Sequence, residues 1–208
     1  MKKIPTLYER IYDNHKIVGI TDKVTPGCED ALTGKWLATI KYDGACCAII
    51  NGELYKRYDA KKGKNPPAGA IPCCDPDPIT GHWPHWVKCD INKPEDKWFF
   101  AAYNEDPYDR LNGTYEAIGP HFQGNPYSLD TDRLIRHGDV AIPQLSKILT
   151  QHELKAFLEE HYIEGIVWWK DGEPKCKLKR SDFGLKWPCK EVFEKYYGTI
   201  KSDTSHGD

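Results

Sequence analysis

Lys41-Tyr42-Asp43-Gly44 is the stretch best equipped for chemistry. It lies between two apolar runs, Trp36–Ile40 and Ala45–Ile50. An unpaired ammonium between buried strands is costly to desolvate. Asp43 can pair with the lysine, and Gly44 lets the chain turn or a ligand come close. Two chemistries are open to such a lysine: an ion pair at a strand-turn-strand corner, or an amine nucleophile that attacks a phosphate. Three further sites also set charge among apolar neighbours. They are Glu116 within Thr114–Ile118, Glu164 ahead of Gly165-Ile166-Val167, and Lys177 and Lys179 on either side of Leu178. Taken alone, each also reads as a half-exposed strand residue, and Glu116 either faces solvent or is held inside for a ligand.

The elements that must position these residues follow from local patterns. Asn51-Gly52, between Ala48–Ile50 and Leu54-Tyr55, is a strong two-residue hairpin signal. It pairs the strand after Lys41 with the strand carrying Arg57. Asn112-Gly113, Gly124–Tyr127 and Asp171-Gly172 predict further turns, and Trp98–Ala102, Thr114–Ile118 and Tyr162–Trp169 predict strands. Over 175–180 a strand puts Lys175, Lys177 and Lys179 on one face and Cys176 and Leu178 on the other. One helix is predicted over 150–161, opened by a Thr150/Glu153 capping box, with Leu154, Phe157, Leu158 and Tyr162 facing the core. Residues 1–35 predict an edge strand and loops, and 61–67 a basic solvated loop. Residues 65–85 are a long Pro- and Gly-rich excursion whose tryptophans and histidines must pack. No internal repeat, Gly-rich phosphate loop or linker is present. The expectation is one α+β domain on antiparallel sheet over 1–190 and a polar tail over 191–208.

A chain of 208 residues can bury a sizeable core, and a net charge of −2 excludes a globally basic nucleic-acid coat. Any polyanion site must be a local patch. No apolar h-region follows the N-terminal Met-Lys-Lys, and no run reaches about 18 apolar residues, so the expectation is an intracellular protein with no signal peptide and no membrane span. The eight cysteines include two adjacent pairs and no secreted framework, which predicts reduced thiols in a cytosol or nucleus. Cys73, Cys74, Asp75, His82, His85 and Cys89 lack a Cys-x-x-Cys spacing and read as a packed loop, not a zinc site.

Together, in this order and at these separations, Lys41-x-Asp43-Gly44, Thr114-Tyr115-Glu116, Glu164-Gly165-Ile166-Val167 and Lys177-Leu178-Lys179 resemble motifs I, III, IV and V of the covalent nucleotidyltransferases: DNA ligases, RNA ligases and mRNA capping enzymes. Arg57-Tyr58-Asp59, Gly81–Pro84, Gly124–Tyr127, Glu164–Trp168 and Phe183–Pro188 narrow the resemblance to the animal-type 5′–3′ RNA ligase family, which has viral members, over roughly residues 20–190. The resemblance implies an antiparallel-sheet nucleotidyltransferase (adenylyltransferase, ATP-grasp-like) domain. The 28 or so residues after Arg180 are too few for an appended OB-fold domain.

The activity so implied is ATP-dependent joining of RNA 5′-phosphate and 3′-hydroxyl ends. Lys41 becomes lysyl-AMP, Asp43 orients it, Glu116 holds the ribose, Glu164 supports Mg²⁺ or Mn²⁺, and Lys177 and Lys179 contact the α-phosphate. Arg57 contacts the nucleotide or the RNA 5′-phosphate, and Lys61, Lys62 and Arg180 grip RNA. The chemistry requires these types. An amine that attacks phosphate must shed its proton, which burial and nearby cations favour, and the same cations neutralise the charge of the transition state. A carboxylate suits Mg²⁺, a hard ion that takes oxygen ligands. The chain departs from the pattern in two places. Thr39-Ile40 stand where many ligases place a glutamate, so backbone groups there take the adenine contact. Ala45-Cys46 stand where most members place an arginine, leaving Arg57 as substitute. The rival readings are an mRNA capping guanylyltransferase, a DNA ligase, and a non-catalytic nucleotide- or RNA-binding module.

Overall fold

A computed structural model of the chain describes residues 3–14, 16–78, 80–105 and 111–195. In chain order the strands are β1 (Tyr8–Asp13), β2 (Lys16–Val24), β3 (Leu37–Lys41), β4 (Ala45–Ile50), β5 (Glu53–Ala60), β6 (Ile71–Pro72) and β7 (Trp83–Lys88). Helix α1 (Lys97–Glu105) follows, then β8 (Gly113–Ile118), β9 (Arg133–Arg136), α2 (Gln151–Glu160), β10 (Gly165–Lys170), β11 (Glu173–Lys179) and α3 (Lys190–Phe193). The architecture is mixed α/β with antiparallel sheets. It divides into two compact units, one of Ile4–Tyr42 and Val140–Asp208, the other of Asp43–Asp139 with Met1–Lys3. We call them the Lys41 unit and the Glu116 unit.

In the Lys41 unit, β11, β10 and β3 form a three-stranded sheet with β10 in the centre, and β1 and β2 form a separate ribbon. The segment entering β1 is laced to β11: Leu7 N–H donates to the Lys177 carbonyl at 2.8 Å, and Lys177 N–H to that of Pro5 at 3.0 Å. Helix α2 begins as expected, with Glu153 N–H on the Thr150 hydroxyl and the Glu153 carboxylate on Thr150 N–H. Its apolar face buries Leu154 and Leu158 in a core shared with Leu7, Ile166, Trp168 and Leu178.

In the Glu116 unit, six antiparallel strands run in the order β6-β7-β5-β4-β8-β9. Asn51 and Gly52 turn between β4 and β5 with φ of 53° and 79°, the pair of positive values that a type I′ hairpin needs. Alternation along β4 sends Cys47 and Ile49 to the face that carries α1, and Ala48 to the face with Tyr55 and Trp86. The histidine-tryptophan stretch does pack: His85 and Trp86 on β7 are buried.

Several local expectations are corrected. Trp98–Ala102, predicted as a strand from its aromatic content, lies in α1, where Trp98, Phe99, Ala102 and Tyr103 recur at helical spacing against the sheet. Residues 1–35 hold a full two-stranded ribbon, and β6 lies within the 65–85 excursion. The first residues of the expected polar tail form α3, and residues 196–208 lie outside the described residues. No helix among the described residues is long and apolar enough to cross a membrane. The eight cysteines are free thiols.

Candidate functional site

The Lys41 unit gathers its charged residues through strand register. Gly165, at the start of the central strand, lies opposite Lys41 on β3 and opposite Lys179 on β11. Directly paired residues share a face, so the two lysines flank a position with no side chain. A Cβ on Gly165 would lie 2.3 Å from the Leu178 carbonyl oxygen, so the position requires glycine. Glu164, one residue earlier, bridges the two lysines: one carboxylate oxygen is ion-paired with Lys41, and the other accepts from Lys179 Nζ at 2.6 Å. Lys177 lies two residues along β11 on the Lys179 face. Burial pulls its ammonium down to about 8, and the charges of Lys179, Lys41 and Arg10 add to the effect against an opposing Asp182.

Two residues that the sequence reading missed support this cluster. Asp182 is 2% exposed and accepts from Lys179 N–H at 2.8 Å, while Arg10 on β1 donates to it through Nε and Nη2 at 3.1 and 2.9 Å. Arg10 gave no signal because it sits on a ribbon with no motif. Asp182 could have been marked as an acidic residue in the first turn after β11. Thr39 is buried, and its hydroxyl donates to the Val167 carbonyl and accepts from Trp169 Nε1. Ile40 N–H goes to the Val140 carbonyl at 2.9 Å, so one main-chain donor expected for an adenine contact is already engaged.

The Glu116 unit makes a second cluster. Glu116 on β8 is directly opposite Cys46 on β4. Its side chain is 13% exposed, and both oxygens are held: Gly44 N–H donates to Oε1 at 3.1 Å, and His137 Nε2 lies 2.9 Å from Oε2. His137 Nδ1 lies 2.9 Å from the Thr114 hydroxyl. Gly44 comes so close to β8 that a Cβ there would meet the Ala117 carbonyl oxygen at 2.2 Å. Burial, reinforced by the Glu116 charge, pushes the Cys46 thiol up to about 12. Of the two settings open to Glu116, the inward one is found. Asp43 N–H donates to the Tyr127 hydroxyl at 2.7 Å.

The predicted residues thus fall into two sets. Lys41, Glu164, Lys177 and Lys179, with Thr39 and Ile40, belong to the Lys41 unit; Asp43, Arg57, Glu116, Lys61 and Lys62 belong to the Glu116 unit. The carboxylate that holds Lys41 is that of Glu164, where the tetrapeptide by itself had offered Asp43. Arg57 makes a two-point contact with Asp59, and Lys61 and Lys62 are exposed. Arg180 requires a correction. It is 3% exposed, and its guanidinium donates to the carbonyls of Lys186, Leu158 and His161, so it holds the chain together and does not face RNA.

A family model described as RNA ligase 1 matches residues 102–202. Among curated proteins, RNA ligase 1 of Danio rerio is 29% identical over 54% of this chain, and RNA ligase 1 of Pongo abelii is 28% identical over 83% of it. RNA ligase 1 of Rattus norvegicus is 24% identical, again over 83% of the chain. These matches support an animal-type RNA ligase family for this chain. The chain spans 44% of the Danio rerio protein's length and 75% of each of the other two. The chain carries in one unit the lysines and glutamate, and in the other the second glutamate, that the motif order had marked.

Proposed function

We propose that this protein is an ATP-dependent RNA ligase of the lysyl-AMP type, acting on RNA 5′-phosphate and 3′-hydroxyl ends. The supporting observation is the Glu164 carboxylate bridging Lys41 and Lys179, with Lys177 in electrostatic reach of both. In this reading Lys41 Nζ attacks the α-phosphorus of ATP, a P–N bond forms, and the bond to the bridging oxygen breaks as pyrophosphate leaves. The AMP then passes to the RNA 5′-phosphate, and the 3′-hydroxyl displaces it to seal the strand. Lys177 and Lys179 hold the α-phosphate and neutralise the charge that develops on it. Glu164, bonded to the attacking amine, holds it in place and accepts its proton. In the Glu116 unit, Glu116 takes the ribose hydroxyls, Asp43 orients the lysine, and Arg57 meets the nucleotide or the RNA 5′-phosphate. Thr39 and Ile40 border the base, and Lys61 and Lys62 grip RNA.

The hard carboxylate oxygens of Glu164 suit Mg²⁺ or Mn²⁺; one of them would leave Lys41 or Lys179 to take the ion, with substrate phosphates and waters completing its shell. When bound, it would add Lewis-acid stabilisation of phosphate charge. The fold in this reading is the antiparallel-sheet adenylyltransferase type, with 1–190 as the RNA ligase domain and 191–208 as its tail. Incubation with α-labelled ATP and Mg²⁺ tests the proposal: wild type acquires covalent AMP and Lys41→Ala none. Labelling of Lys41→Ala, or of neither protein, sinks it. Labelling by GTP alone would mark a capping enzyme, sealing of nicked DNA in place of RNA would mark a DNA ligase, and RNA affinity without label a binding module.

A further inference from the structure

We propose that Cys46, Glu116 and His137 form a binding site for a borderline-soft divalent cation, Zn²⁺ or its analogue Co²⁺, distinct from the Mg²⁺ of the ligase reaction. One ligand atom from each of the three lies within 4.8 Å of the others. Three strands create that convergence. Cys46 and Glu116 are a directly opposed pair on β4 and β8, and their side chains therefore share a face. His137 follows β9, where its N–H donates to the Thr114 carbonyl at 3.0 Å and brings the ring over the same face.

The ligand types decide the ion. Thiolate, imidazole and carboxylate together form a zinc-type donor set, whereas Mg²⁺ takes oxygen ligands alone. Zinc bonds of 2.0–2.3 Å in a tetrahedron need ligand atoms about 3.3–3.8 Å apart. His137 Nε2 and Glu116 Oε2, now 2.9 Å apart, would open by a few tenths of an ångström, and the Cys46 thiol, within 4.8 Å of both residues' ligand atoms, would move in. The supporting contacts are already in place. The Thr114 hydroxyl holds His137 Nδ1 and leaves Nε2 aimed at the centre, and Gly44 N–H holds the Glu116 oxygen that does not face His137. Such outer contacts orient metal-binding histidines and carboxylates. The ion would replace the His137–Glu116 hydrogen bond and the contact of the Cys46 thiol with Arg57. Three protein ligands leave the fourth position to water.

The functional consequence rests on the ligase reading. An ion bound here removes Glu116 from the ribose, so zinc acts as an inhibitor that ATP opposes. The test uses the full chain, reduced and stripped of metal, in buffer containing Mg²⁺. Zn²⁺ is titrated by calorimetry, and Co²⁺ by its thiolate charge-transfer absorption. Wild type should bind one equivalent, Cys46→Ser and His137→Gln should each lose about tenfold or more in affinity, and Cys73→Ser should bind as wild type. Circular dichroism confirms that the variants are folded. Wild-type affinity in folded Cys46→Ser and His137→Gln, or no Co²⁺ thiolate band in wild type, overturns the site. In the labelling assay, Zn²⁺ should suppress wild-type adenylylation and spare Cys46→Ser. Zinc that binds through Cys46 yet leaves labelling untouched overturns the ribose role of Glu116 and leaves the metal site standing.

Discussion

At the scale of single residues, Lys177 is the group whose setting makes a quantitative prediction. Its ammonium is drawn from an ordinary 10.5 to about 8, first by burial and then by its cationic neighbours. Below about pH 8 both folded and unfolded chains carry this proton. Between about 8 and 10.5 the unfolded chain alone keeps it, so stability from this group rises with pH across that window. A phosphate contact by Lys177 runs the other way, because it needs the charge. ATP affinity, measured in a Lys41→Ala background so that no chemistry intervenes, is expected to fall at alkaline pH, with a midpoint above 8 because the Lys41 charge that helps to lower Lys177 is gone. Adding Lys177→Arg should flatten that fall, since a guanidinium stays charged. Parallel curves for the two proteins would remove Lys177 from the phosphate site. Lys41 shows the limit of reading residues alone: its type and its neighbours marked it as reactive, but its carboxylate partner stands 123 residues away at Glu164.

At the scale of elements, Gly165 and Thr150 carry opposite kinds of information. Gly165→Ala sets a methyl against the Leu178 carbonyl oxygen at 2.3 Å and must push β10 from β11. Since that contact fixes the spacing of Lys41 and Lys179 about Glu164, adenylylation is expected to drop by tenfold or more. Unchanged labelling kinetics in a folded Gly165→Ala protein would show that the strand spacing is not critical. Thr150→Ala removes a helix cap, worth about 1 kcal/mol, and should lower the melting temperature by about 2–4 °C. Adenylylation at low temperature should stay as it was, because Thr150 caps the N-terminal end of α2, whereas the contacts to Arg180 come from Leu158 and His161 at its C-terminal end. The cap was legible because its donors and acceptors are three residues apart. Helix α1 was not, because Trp98, Phe99 and Phe100 are strand formers by type, and only packing beneath the sheet imposed helical spacing on them.

At the scale of the whole molecule, 29 basic and 31 acidic side chains nearly cancel, so the RNA affinity we propose would have to come from local cations. With Arg180 buried, Lys61 and Lys62 remain the exposed candidates among the residues assigned to RNA. The double variant Lys61→Ala/Lys62→Ala should weaken RNA binding, and each lost phosphate contact should reduce the slope of log affinity against log salt by about 0.7. Lysyl-AMP formation should be unaffected; an unchanged salt slope would move the RNA grip elsewhere. The sequence by itself determined the antiparallel character of the chain, the Asn51-Gly52 hairpin turn and the helix cap, and it marked Lys41, Glu116 and Glu164 as candidate site residues. These rest on interactions within a few residues, or on residue types whose chemistry is intrinsic. The tertiary structure alone decided that Glu164 bridges Lys41 and Lys179, that Asp182 and Arg10 support them, and that Cys46, Glu116 and His137 converge. Such meetings depend on strand register, and register is set by the packing of whole sheet faces, which no short window of sequence contains.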